Sequence, residues 1–247
     1  MNAQPLQFEP NIHTALWGHE EWLVSAHPSS PCVVKGGGET LDKLYPGFPL
    51  LVKIIEAHDA LSVQVHPNEA TAPLTGGEPK TEMWHIIAAE KGAKIYAGLR
   101  PGTTAADVES AVRDERLEEL LVAHEVKPGE SYFIPGGTVH AIGGGVRIFE
   151  VQQSSNTTYR LYDWGRVDKN GRARELHLAA ALKSIDYNLP VPRAQKDVEC
   201  AFFSFSTTPP AGDDAFRIVY ADGAATLYPP DVPLAPVASA LFVRTGG

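Results

Sequence analysis

The residues of this chain best suited to hold or move charge fall in four short stretches. They are Gln64 and His66 in "LSVQVHPNEA", Lys80 and Glu82 in "PKTEMWHII", His140 in "IPGGTVHAIGGG", and Glu150 and Arg160 in "RIFEVQQSSNTTYRLYD". Imidazole nitrogens, a carboxylate and an amide oxygen make a donor set able to hold a divalent ion and leave positions open for water or substrate. Zinc is the first expectation from such a set, and mixed N/O sites also accept Mn, Fe or Co. A lone histidine in an apolar strand is more often a hydrogen-bonded core residue, so spacing has to carry the argument.

Strand periodicity supplies that spacing. A repeat of two puts Ser62, Gln64 and His66 on one side and Leu61, Val63 and Val65 on the other. The same reading of "PKTEMWHII" puts Lys80, Glu82 and Trp84 on one face, with Thr81, Met83 and His85 opposite. Glu150 shares its face with Ile148 and Gln152, and the turn-rich "SSNTT" between it and Arg160 lets two neighbouring strands bring them together. In "PGESYFIPGGTVHAIGGG", Gly129, Pro135, Gly137 and His140 follow the order G-x5-P-x-G-x2-H. The glycines and the proline turn one strand tightly into the next, which places His140 at the mouth of a barrel.

The rest of the chain reads as mainly β. Short apolar runs such as "FPLLVKIIEA", "GVRIFEVQQ" and "AFRIVYADG" alternate with Gly, Pro, Asn and Asp, as in a sandwich or barrel. Two stretches depart from this. "TTAADVESAVRDERLEELLVAH", about 103–124, has Val108, Val112, Leu117, Leu120 and Leu121 on a helical period, with Thr103 or Thr104 as cap, and reads as a helix pair or a bent helix. "RELHLAAALKSIDYN" reads as another helix, ending before Pro190. "NLPVPRAQKD" has the look of a linker, which divides the chain into a catalytic unit at 1–189 and a short β region at 190–247. Within that region "YPPDVPLAPV" is unsuited to a central strand.

Composition narrows the function classes. With 247 residues, 43% hydrophobic and 21% charged, the chain fits a globular protein with a sizeable core. A net charge of -9 argues against a nucleic-acid partner. Two widely spaced cysteines, Cys32 and Cys200, indicate neither a disulfide framework nor a thiolate zinc site. The absence of a leader pattern or of a run of about 18 apolar residues leads to the expectation of a cytoplasmic protein with no membrane partner.

The Gly129 to His140 spacing resembles the second motif of the cupin superfamily, in which the histidine is a metal ligand. The motif's last position, usually Asn, is here Gly144. The cupin first motif, H-x-H followed by Glu, has Gln64-x-His66 as its nearest equivalent, with Glu82 arriving later. "FPLLVKIIEAHDALSVQVHPNE", "PKTEMWHII", "IPGGTVHAIGGG" and "QQSSNTTYRLYDWGR" together resemble type I phosphomannose isomerases of the short bacterial branch, over about Trp17 to Leu189. That resemblance implies a cupin-type antiparallel β-barrel (jelly roll) with a small helical insertion, interconverting mannose 6-phosphate and fructose 6-phosphate. It also implies one Zn2+ per chain held by Gln64, His66, Glu82 and His140, and an active-site arginine at Arg160. The chain departs from the family at both ends: the region between Trp17 and Trp22 looks shortened, and the tail reads as a reduced second cupin.

For such chemistry an enediolate must be stabilised and a proton moved between C1 and C2. Arg160 is expected to stabilise that charge, or to hold the phosphate as a planar guanidinium does. Glu150, Lys80 and a metal-bound water are the candidate bases. Lys53, Arg160 and Arg166 are the cations available for phosphate, Ser62 is a possible donor, and Trp84 a possible sugar platform. The partner expected is a small sugar phosphate, and the assembly a monomer or homodimer. Two competing readings stand at this stage: an Fe(II) cupin oxygenase, against which Gln64 counts, and a non-catalytic sugar-phosphate-binding cupin.

Overall fold

A computed structural model describes residues 4–167 and 170–246. Three antiparallel sheets stack in layers, and the middle one has six strands in the order Ser131–Ile134, Glu82–Ala89, Val146–Gln153, Leu50–Ala57, Gly18–Ser25 and Asn11–Ala15. Its strands are rich in Val, Ile and Phe, and both of its faces are covered, so near-continuous apolar runs are what the sequence shows. Alternation still sorts the side chains. Val52, Ile54, Met83, Phe149 and Val151 point to one side and join the largest buried cluster, whereas Ile55, Trp84, Ile86 and Ile148 belong to a second cluster on the other.

The second cluster is closed by a five-stranded sheet ordered Tyr159–Tyr162, Val63–Val65, His140–Ile142, Lys94–Leu99 and Leu121–Glu125. These two sheets form the barrel that the glycine and proline spacing predicts. On the outer side of the five-stranded sheet Val63, Val65, Ala141 and Leu161 pack against Val108, Ala111 and Ala181 of two helices, Ala105–Arg113 and Leu178–Ser184. The first helix starts at a capping box in which the Thr104 side chain accepts from Asp107 N–H and the Asp107 carboxylate accepts from Thr104 N–H.

The expected helical insertion at 103–124 is shorter than its periodicity suggests. The helix ends at Arg113, a 3-10 turn covers Leu117–Leu120, and Leu121–Glu125 is a strand. Leu121 therefore serves a strand pairing with Leu99 and not a helix face. The other helix also contracts, to Leu178–Ser184, because Glu175 and His177 before it are bound to Arg160 of the strand Tyr159–Tyr162.

The tail does form a sheet, but not by itself. Val198–Glu199, Phe203–Ser206, Leu241–Thr245, Arg217–Ala221 and Ala224–Tyr228 continue through Leu6–Glu9 to Val33–Val34, seven strands in all. The first strand of the chain pairs with the tail, so a boundary at 189 does not separate one sheet from another. Phe203, Phe205, Ile218, Leu227 and Val243 pack on the outward side of the six-stranded sheet. Each such fully buried side chain contributes roughly 1.5–3 kcal/mol. "YPPDVPLAPV" is only the end of one strand followed by irregular chain, as its prolines require.

Candidate active site

Register assembles the site. Gln64 lies directly opposite both His140 and Arg160 on the neighbouring strands, so all three side chains face the barrel interior. On the facing sheet Trp22, Lys53, Glu150 and Trp84 are cross-strand partners in a row, and Gln152 is opposite Glu82. The strands "LLVKIIEA", "VRIFEVQQ" and "EMWHIIAA" thus turn their polar inward residues to one end of the barrel and Ile55, Ile148 and Ile86 to the other.

Glycines shape the turns that present the histidine. Gly137 has φ +97°, and a Cβ there would lie 3.0 Å from Asp186 Cβ, so no other residue fits without strain. At Gly144, where the cupin motif usually has Asn, a Cβ would come within 2.9 Å of the His58 carbonyl oxygen. Close backbone approach accounts for that departure.

His66, Glu82 and His140 are buried, and their ligand atoms lie within 4.8 Å of one another. His66 Nε2 is 3.4 Å from Glu82 Oε2, and His140 Nε2 is 3.4 Å from Glu82 Oε1. Each imidazole is anchored from behind: His66 Nδ1 is 2.8 Å from the Thr157 carbonyl and His140 Nδ1 is 2.9 Å from the Thr138 carbonyl. A carbonyl only accepts, so Nδ1 carries the proton and Nε2 turns its lone pair inward, the arrangement of a metal-ligating histidine. Burial, and then the charge of Lys80, depress both pKa values; His140 falls to about 4 and His66 well below its ordinary value. Both rings are therefore neutral at pH 7. His140 Nε2 is buried with no hydrogen-bond partner among the described residues. A neutral, oriented, unpartnered nitrogen beside a second imidazole and a carboxylate fits a divalent transition-metal ion.

Five charged side chains run in alternating sign across the floor of the barrel. Glu20 Oε2 accepts from Lys53 Nζ at 3.1 Å, and Lys53 Nζ is also 3.1 Å from Glu150 Oε1. Lys80 Nζ is 3.9 Å from Glu150 Oε1, 2.7 Å from Glu82 Oε2 and 3.0 Å from His66 Nε2. Burial and the nearby Glu82 raise the Glu150 pKa against the pull of Lys53 and Lys80. Burial also pushes Glu20 up, but Lys53 and the Trp22 indole N–H, 2.8 Å away, outweigh it and hold Glu20 below its ordinary value.

A cavity of about 300 Å³ opens over this row. Ser62, Gln64, Lys80, Glu150, Arg160 and Arg174 are among its walls. Arg160 Nη1 donates to the Glu175 carbonyl at 2.8 Å, while its Nε has no hydrogen-bond partner among the described residues. Burial and the neighbouring Arg174 lower its pKa, the mark of two guanidiniums held close together. Arg174 is aligned by a two-point contact with Asp163, at 2.6 and 2.5 Å.

Ser62, Gln64, Lys80, Glu150 and Arg160 thus line one cavity, and Lys80 joins it to the buried cluster of His66, Glu82 and His140 through its contacts with Glu82 and His66. Three other expectations change. Trp84 is wholly buried and is not among the cavity walls, so it offers no face to a sugar; it lies edge-on to His140 and donates from Nε1 to Glu150 Oε2 at 3.0 Å. Lys53 touches the cavity, but its ammonium is held between two carboxylates and is not a free phosphate cation. Arg166 is bound to Asp163 and lies outside the cavity walls. Sequence reasoning missed Glu20, Arg174 and the Thr157 carbonyl. Glu20 stands two residues before Trp22 in "EEWLVS", and only the register reveals that it shares a face with Lys53.

An antiparallel jelly-roll barrel with two histidines and a carboxylate converging beside a polar cavity defines a cupin-type protein with a candidate metal centre. Mannose-6-phosphate isomerase from Streptococcus mutans serotype c is 38% identical over 221 residues, covering 76% of this chain and 70% of the relative. Mannose-6-phosphate isomerase from Bacillus subtilis strain 168 is 36% identical over 249 residues, covering 83% and 79%. The chain belongs to the mannose-6-phosphate isomerase family. In fold it is similar to the crystal structure of mannose 6-phosphate isomerase from Bacillus subtilis, with a TM-score of 0.77, 24% identity, and 98% of this chain and 97% of that one covered. A mutant phosphomannose isomerase from Salmonella typhimurium has the same fold at a TM-score of 0.66 and 12% identity, over 99% of this chain and all of the other, 100%. No family model matches the chain.

Proposed function

We infer that this protein interconverts mannose 6-phosphate and fructose 6-phosphate through an enediolate. The observation that supports it most is a cavity lined by Glu150, Lys80 and two arginines, joined through Lys80 to a buried cluster of His66, Glu82 and His140, on a chain of this family. The oxygenase and the non-catalytic readings are left with no observation in their favour.

In this reading His66, Glu82 and His140 hold one divalent ion, with Gln64, opposite His140, as a further oxygen donor. Zinc is the ion we assign, from the neutral nitrogen and carboxylate donors. When bound, such an ion polarises the sugar oxygens that carry charge in the enediolate. Glu150 serves as the base that moves the proton between C1 and C2, because it is a carboxylate lining the cavity, and burial and the nearby Glu82 raise its pKa and so make it a stronger base than a free glutamate. Lys80 bridges Glu150 and Glu82 and supplies a proton donor beside the sugar oxygens. Arg160 faces the developing negative charge and Arg174, fixed by Asp163, faces the phosphate, with Ser62 as a neutral donor. Lys53 acts through Glu150.

A cytoplasmic location belongs to the same reading, supported by two cysteines that are both free. Among the described residues no helix is long and apolar enough to cross a membrane. A coupled assay on purified protein tests the function: turnover of mannose 6-phosphate is expected to disappear with chelator and return with added zinc. Metal-loaded, folded protein that binds the sugar phosphate without converting it overturns the assignment.

A further inference from the structure

Glu20 is the end of the charge row opposite Glu82, and it lines the cavity. It comes from Gly18–Ser25, a strand that carries none of the residues assigned above to ligation or proton transfer. Its Oε2 receives both the Trp22 indole N–H at 2.8 Å and the Lys53 ammonium at 3.1 Å. Lys53 is buried, on the adjacent strand, and its ammonium is equidistant from Glu20 and Glu150 at 3.1 Å. Glu150 is gripped at both oxygens, Oε2 by the Trp84 indole and Oε1 by Lys53. A flexible four-carbon amine placed between two carboxylates stays central only while both are charged.

We infer that Glu20 is a positioning residue for the isomerisation: by holding Lys53 midway, it fixes the orientation of Glu150 and stops Lys53 from neutralising it as a closed ion pair. The inference rests on the function proposed above. Without the Glu20 charge, Lys53 collapses onto Glu150, turning a base shared among several partners into one half of a tight salt bridge. A misplaced catalytic group costs rate far more than it costs substrate binding.

The groups facing Glu150 set the sign of the second consequence. They are Lys53 from Leu50–Ala57, Lys80 from the turn before Glu82, Glu82 and Trp84 from Glu82–Ala89, and Glu20 from Gly18–Ser25. Lys53 and Lys80 favour the carboxylate, whereas Glu82 and Glu20 oppose it. Removing the Glu20 charge takes away one opposing charge and strengthens the Lys53 pairing, so the Glu150 carboxyl becomes more acidic.

Steady-state kinetics of metal-loaded Glu20→Gln decides the matter. The glutamine keeps an oxygen for the Trp22 indole and for Lys53 but loses the charge. The expected result is a kcat lower by about tenfold to a hundredfold, a KM within about twofold, and an acidic limb of the pH-rate profile moved to lower pH. A merely structural role would lower the folded fraction and leave the pH profile of the remaining active enzyme in place. Glu20→Asp keeps the charge while withdrawing it by one methylene, so its acidic limb stays put and its kcat falls less; it replaces Glu20→Gln as the deciding variant if the latter does not fold. Wild-type kcat and pH profile in Glu20→Gln, or wild-type kcat in Glu20→Asp, overturns the role of Glu20 while leaving the isomerase assignment intact. Absence of turnover in the metal-loaded wild type sinks both.

Discussion

The two faces of the six-stranded sheet share one backbone and opposite chemistry. Towards the seven-stranded sheet it presents Val52, Ile54, Met83, Phe149 and Val151, and meets Phe203, Phe205, Ile218, Leu227 and Val243. Towards the barrel interior the alternate residues of the same strands are Lys53, Glu82, Glu150 and Gln152, all buried. Burying charged and amide groups costs stability even when the charges are paired, and Gln152 Oε1 on this face lacks a hydrogen-bond partner among the described residues. The apolar face offsets that cost. The tail sheet is thereby part of what the site needs, although no tail residue lines the cavity.

Four experiments separate the faces, from the largest effect to the smallest. His140→Ala on the polar face is expected to bring turnover to background and to remove bound metal, read by elemental analysis; retained stoichiometric metal would contradict the ligand assignment. Glu150→Gln keeps metal and fold and is expected to lower kcat by about 10² to 10⁴. A rate within a few-fold of wild type would move the base to another group, with Lys80 first in line. Phe205→Ala, on the apolar face, is expected to cost about 3–5 kcal/mol in denaturant unfolding, with kcat per folded molecule unchanged at low temperature. If that variant loses rate without losing stability, the two faces are not the independent halves described above.

The smallest effect is a pH dependence of metal-free stability. Unfolded imidazoles titrate near 6.5, whereas His140 in the fold titrates at about 4 and His66 is also depressed. The unfolded chain binds more protons in that window, so the stabilisation is full above about pH 6.5 and is lost as pH falls towards about 4. Thermal unfolding of the metal-free protein across that range should show it, and His140→Gln should flatten the slope. An unchanged slope in the variant would mean that other groups carry the acid sensitivity.

Much of the site was legible because strand alternation is a local rule. Gln64 and His66, Lys80 and Glu82, and Glu150 with Gln152 could be assigned to faces from periodicity alone, and the Gly129 to His140 spacing fixed a turn whose glycines the geometry requires. Trp84 shows the limit of that rule. It shares the Glu82 face as alternation demands, yet the barrel closes over it, because a face says which side a residue takes and not how deep it lies. The helix at 103–124 failed for a similar reason: Leu117, Leu120 and Leu121 satisfy a helical period, but pairing of Leu121–Glu125 with Lys94–Leu99 wins.

By itself the sequence determined a mainly β chain, the polar faces of its strands and the residue types of a metal-centred pocket, since all three follow from neighbours two to four positions apart. Only the tertiary structure decided that Glu20 meets Lys53, that Arg174 stands beside Arg160, and that the first strand completes the tail sheet. Those are pairings between segments distant in sequence. Register, packing depth and the sharing of buried charge exist only once the sheets have closed.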